Sequence, residues 1–187
     1  MSKSMIVLIA IVAIAGVFGM TLMSSYNGLV ADQEKVNGQW SQIDTMLQRR
    51  ADLIPNLVNT VKGFAAQEKS VIDSVTNARA KLAGAQGPAA RGEANNELSG
   101  ALSRLLVVVE NYPQLKSDKT FQGLMDELAG TENRIAVARR DYNLAVQSFN
   151  TRIKTFPTSI IAGMFGFSSK EYFRAEEGAK QVPAVKF

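Results

Sequence analysis

Apolar positions follow two different rhythms along this chain. From Met5 to Met23 they are nearly continuous, MIVLIAIVAIAGVFGMTLM, with no charge and Thr21 as the one hydroxyl. A helix of that length spans about 28 Å, close to the roughly 30 Å of a bilayer's hydrocarbon core. Met5, Ile6, Leu8, Ile11, Ile14, Val17, Phe18, Leu22 and Met23 are therefore read as a membrane anchor, with Tyr26 suited to the headgroup zone just beyond it. A cleaved signal peptide is the competing reading, because Ala13-Ile14-Ala15 fits a small-x-small cleavage pattern. Apolar and small residues continue past Ala15 as far as Met23, so an uncleaved anchor is expected.

Beyond residue 25 the apolar residues return every three or four positions, which predicts amphipathic helices. Leu29, Val36, Trp40, Ile43, Leu47 and Ile54 form one stripe, interrupted by Arg50; Leu57, Val58, Val61, Phe64, Val71, Ile72, Val75 and Leu82 prolong it. The spacing predicts one helix to about residue 82, kinked and not ended by Pro55. Gly84-Ala85-Gln86-Gly87-Pro88 is a stop and restart. A second helix is expected over 89–111, with Ala94, Leu98, Leu102, Leu105, Val109 and Tyr112 inward and Lys116-Ser117-Asp118 as the following turn and cap. A third carries Phe121, Leu124, Leu128, Thr131, Ile135, Ala138, Tyr142, Ala145 and Phe149, runs to Phe156 and stops at Pro157. Residues 157–164 add a short fourth helix, and the tail 178–187, with Pro183, reads as extended. The fold expected is all-α: an N-terminal transmembrane helix (1–25), then an antiparallel bundle of three long helices plus a short fourth (26–167), then a tail (168–187).

Composition narrows the chemistry. Histidine and cysteine are both absent, which removes imidazole bases, thiol nucleophiles, Cys/His zinc sites, disulfides and a cysteine-linked lipid. Lys and Arg total 21 against 17 Asp and Glu, and the two signs are interspersed, so no basic tract exists to follow a phosphate backbone. Nucleic acid is not expected as a partner. Phosphate loops, calcium loops and Ser-x-x-Lys dyads are missing, and di-iron bundles need Glu-x-x-His pairs. No enzymatic activity and no cofactor or metal are expected.

Three features stand out against this background. Arg50 falls on an apolar stripe, where a charge must be paired or snorkel outward; Glu132, Arg139 and Asp141 on the third helix are its candidate partners, and Arg49 and Asp52 complete the polar cluster. Such a cluster sets helix register or, alternatively, receives a partner. Asn56, Asn133, Asn143 and Asn150 lie within helices despite modest propensity, and are read as bridges between helices or as caps for the carbonyl left free by Pro55. Phe156, Ile160, Ile161, Met164, Phe165 and Phe167, followed by Tyr172 and Phe173, are more apolar than a surface requires. They cover the open end of the bundle or, alternatively, form an interfacial or self-association patch.

Several runs resemble the LemA family: Tyr26-Asn27-Gly28-Leu29-Val30, Trp40-Ser41-Gln42-Ile43-Asp44, and above all Leu47-Gln48-Arg49-Arg50-Ala51-Asp52-Leu53-Ile54-Pro55-Asn56-Leu57-Val58. Thr131-Glu132-Asn133-Arg134-Ile135, Ala138-Arg139, Asp141-Tyr142-Asn143, Phe149-Asn150, Phe156-Pro157 and Pro183-Ala184-Val185-Lys186-Phe187 extend the resemblance. It implies a bacterial protein held in the inner membrane by a single pass, with a soluble part similar to a four-helix bundle and no established activity, substrate or cofactor. Members with a lipidated N-terminal cysteine differ from this chain, where the apolar helix takes that role.

The function expected is a non-enzymatic, membrane-anchored helical interaction module of the bacterial cell envelope. The alternative is a self-assembling scaffold, a homo-oligomer, that organises or remodels the membrane. The partners expected are the lipid bilayer, through the N-terminal helix, and an unknown protein. Lys3 precedes the span while Asp32 and Glu34 precede Lys35 after it. By the positive-inside rule this places the soluble part outside the cytoplasm.

Overall fold

A computed structural model describes residues 3–173, and the expected extended tail 178–187 lies outside them. Every regular element among the described residues is a helix: α1 (Lys3–Ala65), α2 (Lys69–Gly84), α3 (Gly87–Val109), α4 (Pro113–Lys116), α5 (Lys119–Arg152) and α6 (Thr158–Phe165). The chain divides into two compact units. One holds α1 as far as Gly38, Leu144–Lys170 and hence α6; the other holds Gln39–Asn143 with Glu171 to Phe173.

In the first unit, Leu29 and Val36 of α1 are buried, as are Val146, Phe149 and Ile153 of α5 and its exit, and Ile161 and Ala162 of α6. Arg152 ties the first two of these helices together, donating from Nη1 to Asp32 Oδ2 at 2.8 Å and to the Gly28 carbonyl at 3.3 Å. Helix α5 ends at Arg152, one turn short of the expected Phe156, and the backbone tightens through Lys154 N–H to the Thr151 carbonyl at 3.0 Å. Helix α6 closes on Gly166, whose φ of 74° is the left-handed conformation that lets Phe167 N–H reach the Ala162 carbonyl at 2.9 Å.

The second unit corrects the expectation of one long first helix. The amphipathic run breaks at residues 66–68, so α2 is a separate helix that packs on α3. The break is stabilised by polar side chains: Gln67 Nε2 donates to Tyr112 Oη at 2.9 Å, and Tyr112 Oη donates to Glu68 Oε1 at 2.7 Å. A second correction follows, because Phe64, expected on the inward stripe, is 40% exposed there. The α2–α3 turn uses Gly87 at φ 79° and Pro88 in the first turn of α3, closed by Arg91 Nε on the Ala85 carbonyl at 3.1 Å. Lys81 on Glu97 and Arg104 on Ser74 cross between the two helices. The one-turn helix α4 leads into the expected turn at 116–118, where Asp118 Oδ1 accepts from Phe121 N–H at 2.8 Å to cap α5.

Ile43, Leu47, Ile54, Leu57, Val75, Leu82, Leu98, Leu105 and Leu128 make up much of this unit's core, each at most 2% exposed. Helix α1 passes through Pro55 without a break. The ring nitrogen cannot serve the Ala51 carbonyl four residues earlier, and Arg79 of α2 donates to that oxygen instead, Nε to O 2.9 Å. That role, one of the two expected for the four asparagines, falls to none of them, and Asn56 and Asn133 are both exposed.

Candidate functional site

Among the described residues, the one charged side chain that the fold buries is Arg50, 3% exposed. It enters the second unit from α1 because residues 47, 50 and 54 share a helical face, between Leu47 and Ile54, both 0% exposed. Its Nη1 donates to Asn95 Oδ1 and Ser99 Oγ of α3 and to Glu132 Oε2 of α5. Three helices thus meet on one guanidinium. Asn95 Nδ2 also faces Glu132 Oε2 at 3.5 Å, and Ser99 Oγ donates to the Asn95 carbonyl at 3.0 Å. Burial pushes the Arg50 pKa below its ordinary value, and the charge and hydrogen bond of Glu132 act against that shift. Arg50 Nε is buried without an acceptor.

Glu132 is the only one of the expected partners that the fold brings to Arg50. Arg49 and Asp52 lie on the exposed side of α1, where Arg49 Nε meets Glu127 Oε1 at 2.9 Å and Asp52 accepts from Gln48 at 3.0 Å. Together with Asp44, Thr45, Gln48 and Leu53 they line an open surface groove. Arg91 of α3 pairs with Asp44 at its edge. Arg139 instead lies over the Phe173 ring, 5.7 Å from its centre, and Asp141 pairs with its neighbour Arg140 at 3.1 Å. Asn95 and Ser99 were not among the residues expected here. Asn95 was legible in principle, since it precedes the buried Leu98 by three and Leu102 by seven.

Asn143 and Asn150 bridge, but not to another helix as expected: each pairs with irregular backbone beyond α6. In the first unit, Asn150 Nδ2 donates to the Lys170 carbonyl and Oδ1 accepts from Lys170 N–H, both at 2.8 Å. In the second, Asn143 does the same to Phe173 at 2.9 Å in each direction. There Phe173 also packs near Trp40, and Tyr142 Oη donates to the Glu171 carbonyl at 2.8 Å. Burial, followed by the charge of Glu171, raises the Tyr142 pKa to about 12.

The residues expected to form the anchor lie in the first unit. Every described side chain from Met5 to Met23 is exposed except Leu22, which is half-buried. Helix α1 is long and apolar enough there to cross a membrane. The expected C-terminal patch divides in two. Ile161 is buried and Phe167 half-buried, whereas Phe156, Ile160, Met164 and Phe165 are between 54% and 77% exposed. Phe165 packs on Tyr26 with ring centres 4.7 Å apart, and Phe167 stands 5.9 Å from Tyr26 and 6.4 Å from Phe149.

Among the described residues no three Asp or Glu side chains gather closely enough to hold a metal ion. The groups around Arg50 join helices through charge-assisted hydrogen bonds.

Comparison with known proteins places this arrangement in a family. The LemA family model matches residues 39–187. The chain belongs to the LemA family. The match begins after the apolar segment and after Tyr26–Val30, and it includes the whole of the Leu47–Val58 run. Among curated relatives, magnetosome protein MamQ 2 of Paramagnetospirillum magneticum is 31% identical over 88% of this chain and 70% of its own length. MamQ of Magnetospirillum gryphiswaldense is 30% identical over the same shares. The protein LemA of Metamycoplasma hominis is 25% identical over 87% of this chain and 74% of its own. In this LemA-family chain, the buried Arg50 and the exposed Arg49 and Asp52 all come from the Leu47–Val58 run.

Proposed function

We propose that this LemA-family protein is a membrane-tethered helical module that works by binding a protein partner and not by catalysing a reaction. The observation that carries the reading is the contrast along α1. Its N-terminal apolar stretch has no protein cover in the first unit, while its Asp44–Leu53 stretch presents an open, mixed-charge groove in the second. Uncovered apolar length suits lipid; a groove of Asp44, Gln48, Arg49 and Asp52 suits a polar segment of another protein. The absence of histidine and cysteine from the sequence supports a non-enzymatic role. Lys3 ahead of the span and acidic residues behind it support an N-terminus in the cytoplasm of a bacterial inner membrane and a soluble part outside it.

Photo-crosslinking side chains placed singly at Thr45 and Gln48 of the full-length protein in its native membrane test the reading. A discrete adduct with a different protein, abolished by Asp52→Arg, is the expected result. Adducts containing only copies of this chain would favour the self-assembling scaffold. No adduct at either position overturns the proposal.

A further inference from the structure

We propose that α6 is a second, interfacial membrane contact, lying with its outer face among the lipid headgroups and upper acyl chains beside the protein's own anchor. The inference rests on the reading of residues 5–23 as a membrane span. Helix α6 and the residue pair before it are two-faced: Ile161 and Ala162 are 1% and 3% exposed, while Phe156, Ile160 and Met164 are 77%, 54% and 71% exposed. Those three recur every four positions, and Phe165, 60% exposed, widens the face. The eight residues of α6, TSIIAGMF, carry no charge. Such a face left in water is costly, and apolar aromatics on a surface-lying helix are the signature of interfacial insertion.

What identifies lipid as the occupant is continuity with the anchor. Tyr26 follows the last apolar residue of the span, Met23, by three positions, about 4.5 Å along a helix. A tyrosine there sits at headgroup depth. The Phe165 ring is 4.7 Å from the Tyr26 ring, within the same compact unit, so the end of α6 is fixed at that depth as well.

The chain has no cysteine, so single labelling sites can be introduced cleanly. The full-length protein is labelled with an environment-sensitive fluorophore at Met164→Cys, Gln147→Cys or Val17→Cys and reconstituted in nanodiscs of zwitterionic and anionic phospholipid. Lipids carrying a nitroxide at shallow depth are then added as quenchers. The expected result is severalfold stronger quenching at position 164 than at the exposed, polar position 147, together with protection of 164 from a water-soluble quencher. If position 17 is quenched by lipid while 164 remains open to the aqueous quencher, the interfacial proposal fails and the anchor stands. Protection of 164 that disappears when the protein-to-lipid ratio is lowered to one copy per nanodisc, without lipid quenching, assigns the face to a second copy and also overturns the proposal. Lack of lipid quenching at position 17 overturns the anchor, and this inference with it.

Discussion

Arg79 of α2 supplies to the carbonyl of Ala51 the hydrogen bond that Pro55 withholds, Nε to O 2.9 Å. Ala51 is 1% exposed, so an unpaired oxygen there has no water to turn to. Arg79→Ala should cost about 1–3 kcal/mol of stability in urea denaturation of the detergent-solubilised chain. In a Pro55→Ala background the helix provides its own N–H, and the same substitution should cost about 1–2 kcal/mol less. Equal costs in the two backgrounds would show that Arg79 contributes by packing alone.

The Arg50 cluster makes a sharper claim about partners. Glu132→Ala leaves a buried guanidinium without its counter-charge and should destabilise by about 1–3 kcal/mol, less than a fully buried pair because Glu132 keeps 39% side-chain exposure. In an Arg50→Met background, an apolar residue of similar length fills the site, and Glu132→Ala should then cost under about 1 kcal/mol. Asp141→Ala should show coupling to Arg50 below about 0.5 kcal/mol, since Asp141 pairs with Arg140 instead. Coupling to Asp141 as large as that to Glu132 would contradict the arrangement.

How far these features could be read from the sequence depended on whether their cause was local. The stripes on α3 and α5 were legible because burial selects apolar residues at helical spacing, and Leu98, Leu105, Leu128 and Ile135 are all buried accordingly. The break after Ala65 was not legible. Phe64 and Val71 are seven apart, so the heptad register carries straight across it, with no Gly or Pro between them. The turn is instead held by Gln67 and Glu68 on Tyr112, 45 and 44 positions further along. Arg50 was conspicuous as a charge on an apolar stripe, and Glu132 was among its expected partners. Arg139 faces the Phe173 ring, an interaction that depends on tertiary placement. Asn143 and Asn150 stood out by type, but their partners are backbone groups, which leave no mark on side-chain identity.

Those two asparagines can be tested one unit at a time. Asn150→Ala removes both bonds to Lys170, and Asn143→Ala both bonds to Phe173. Each should lower hydrogen-exchange protection of the corresponding backbone amide by roughly one to two orders of magnitude, equivalent to about 1–3 kcal/mol of local stability. Trp40, the single tryptophan, stands 6.3 Å from Phe173 and 5.7 Å from Tyr142. Its fluorescence should therefore shift in Asn143→Ala. An unchanged Trp40 spectrum with unchanged protection at Phe173 would remove the bridging role of Asn143.

Alkaline pH should weaken the second unit through Tyr142. Its pKa is raised from 10.0 to about 12, chiefly by burial and further by the charge of Glu171. Below pH 10 folded and unfolded chains both hold the phenol proton. Between pH 10 and about 12 the unfolded chain gives it up first, so stability falls as pH rises through that window. Tyr112, whose pKa is also raised, first by its hydrogen bond to Glu68, acts in the same direction. Tyr142→Phe should flatten the slope over this range while lowering stability at neutral pH by about 1 kcal/mol through loss of the bond to the Glu171 carbonyl. A slope unchanged by Tyr142→Phe would place the alkaline sensitivity elsewhere.

Gly28 offers the finest test of the first unit, because two effects oppose each other at one atom. A Cβ there would collide with Arg152 Nη2 and lie 2.8 Å from its Cζ, so the guanidinium must move from the Gly28 carbonyl and from Asp32. The contact is with the tip of a flexible side chain, and the ion pair is partly solvated, with 41% and 26% side-chain exposure, so its loss is expected to cost roughly 0–1 kcal/mol. Alanine within a helix gains about 1 kcal/mol over glycine. Gly28→Ala alone should therefore change stability by less than about 1 kcal/mol. In an Arg152→Ala background nothing opposes the helix gain, and the same change should stabilise by about 1 kcal/mol. A strongly destabilising Gly28→Ala that Arg152→Ala fails to relieve would mean that backbone, and not the guanidinium, occupies the space beside Gly28.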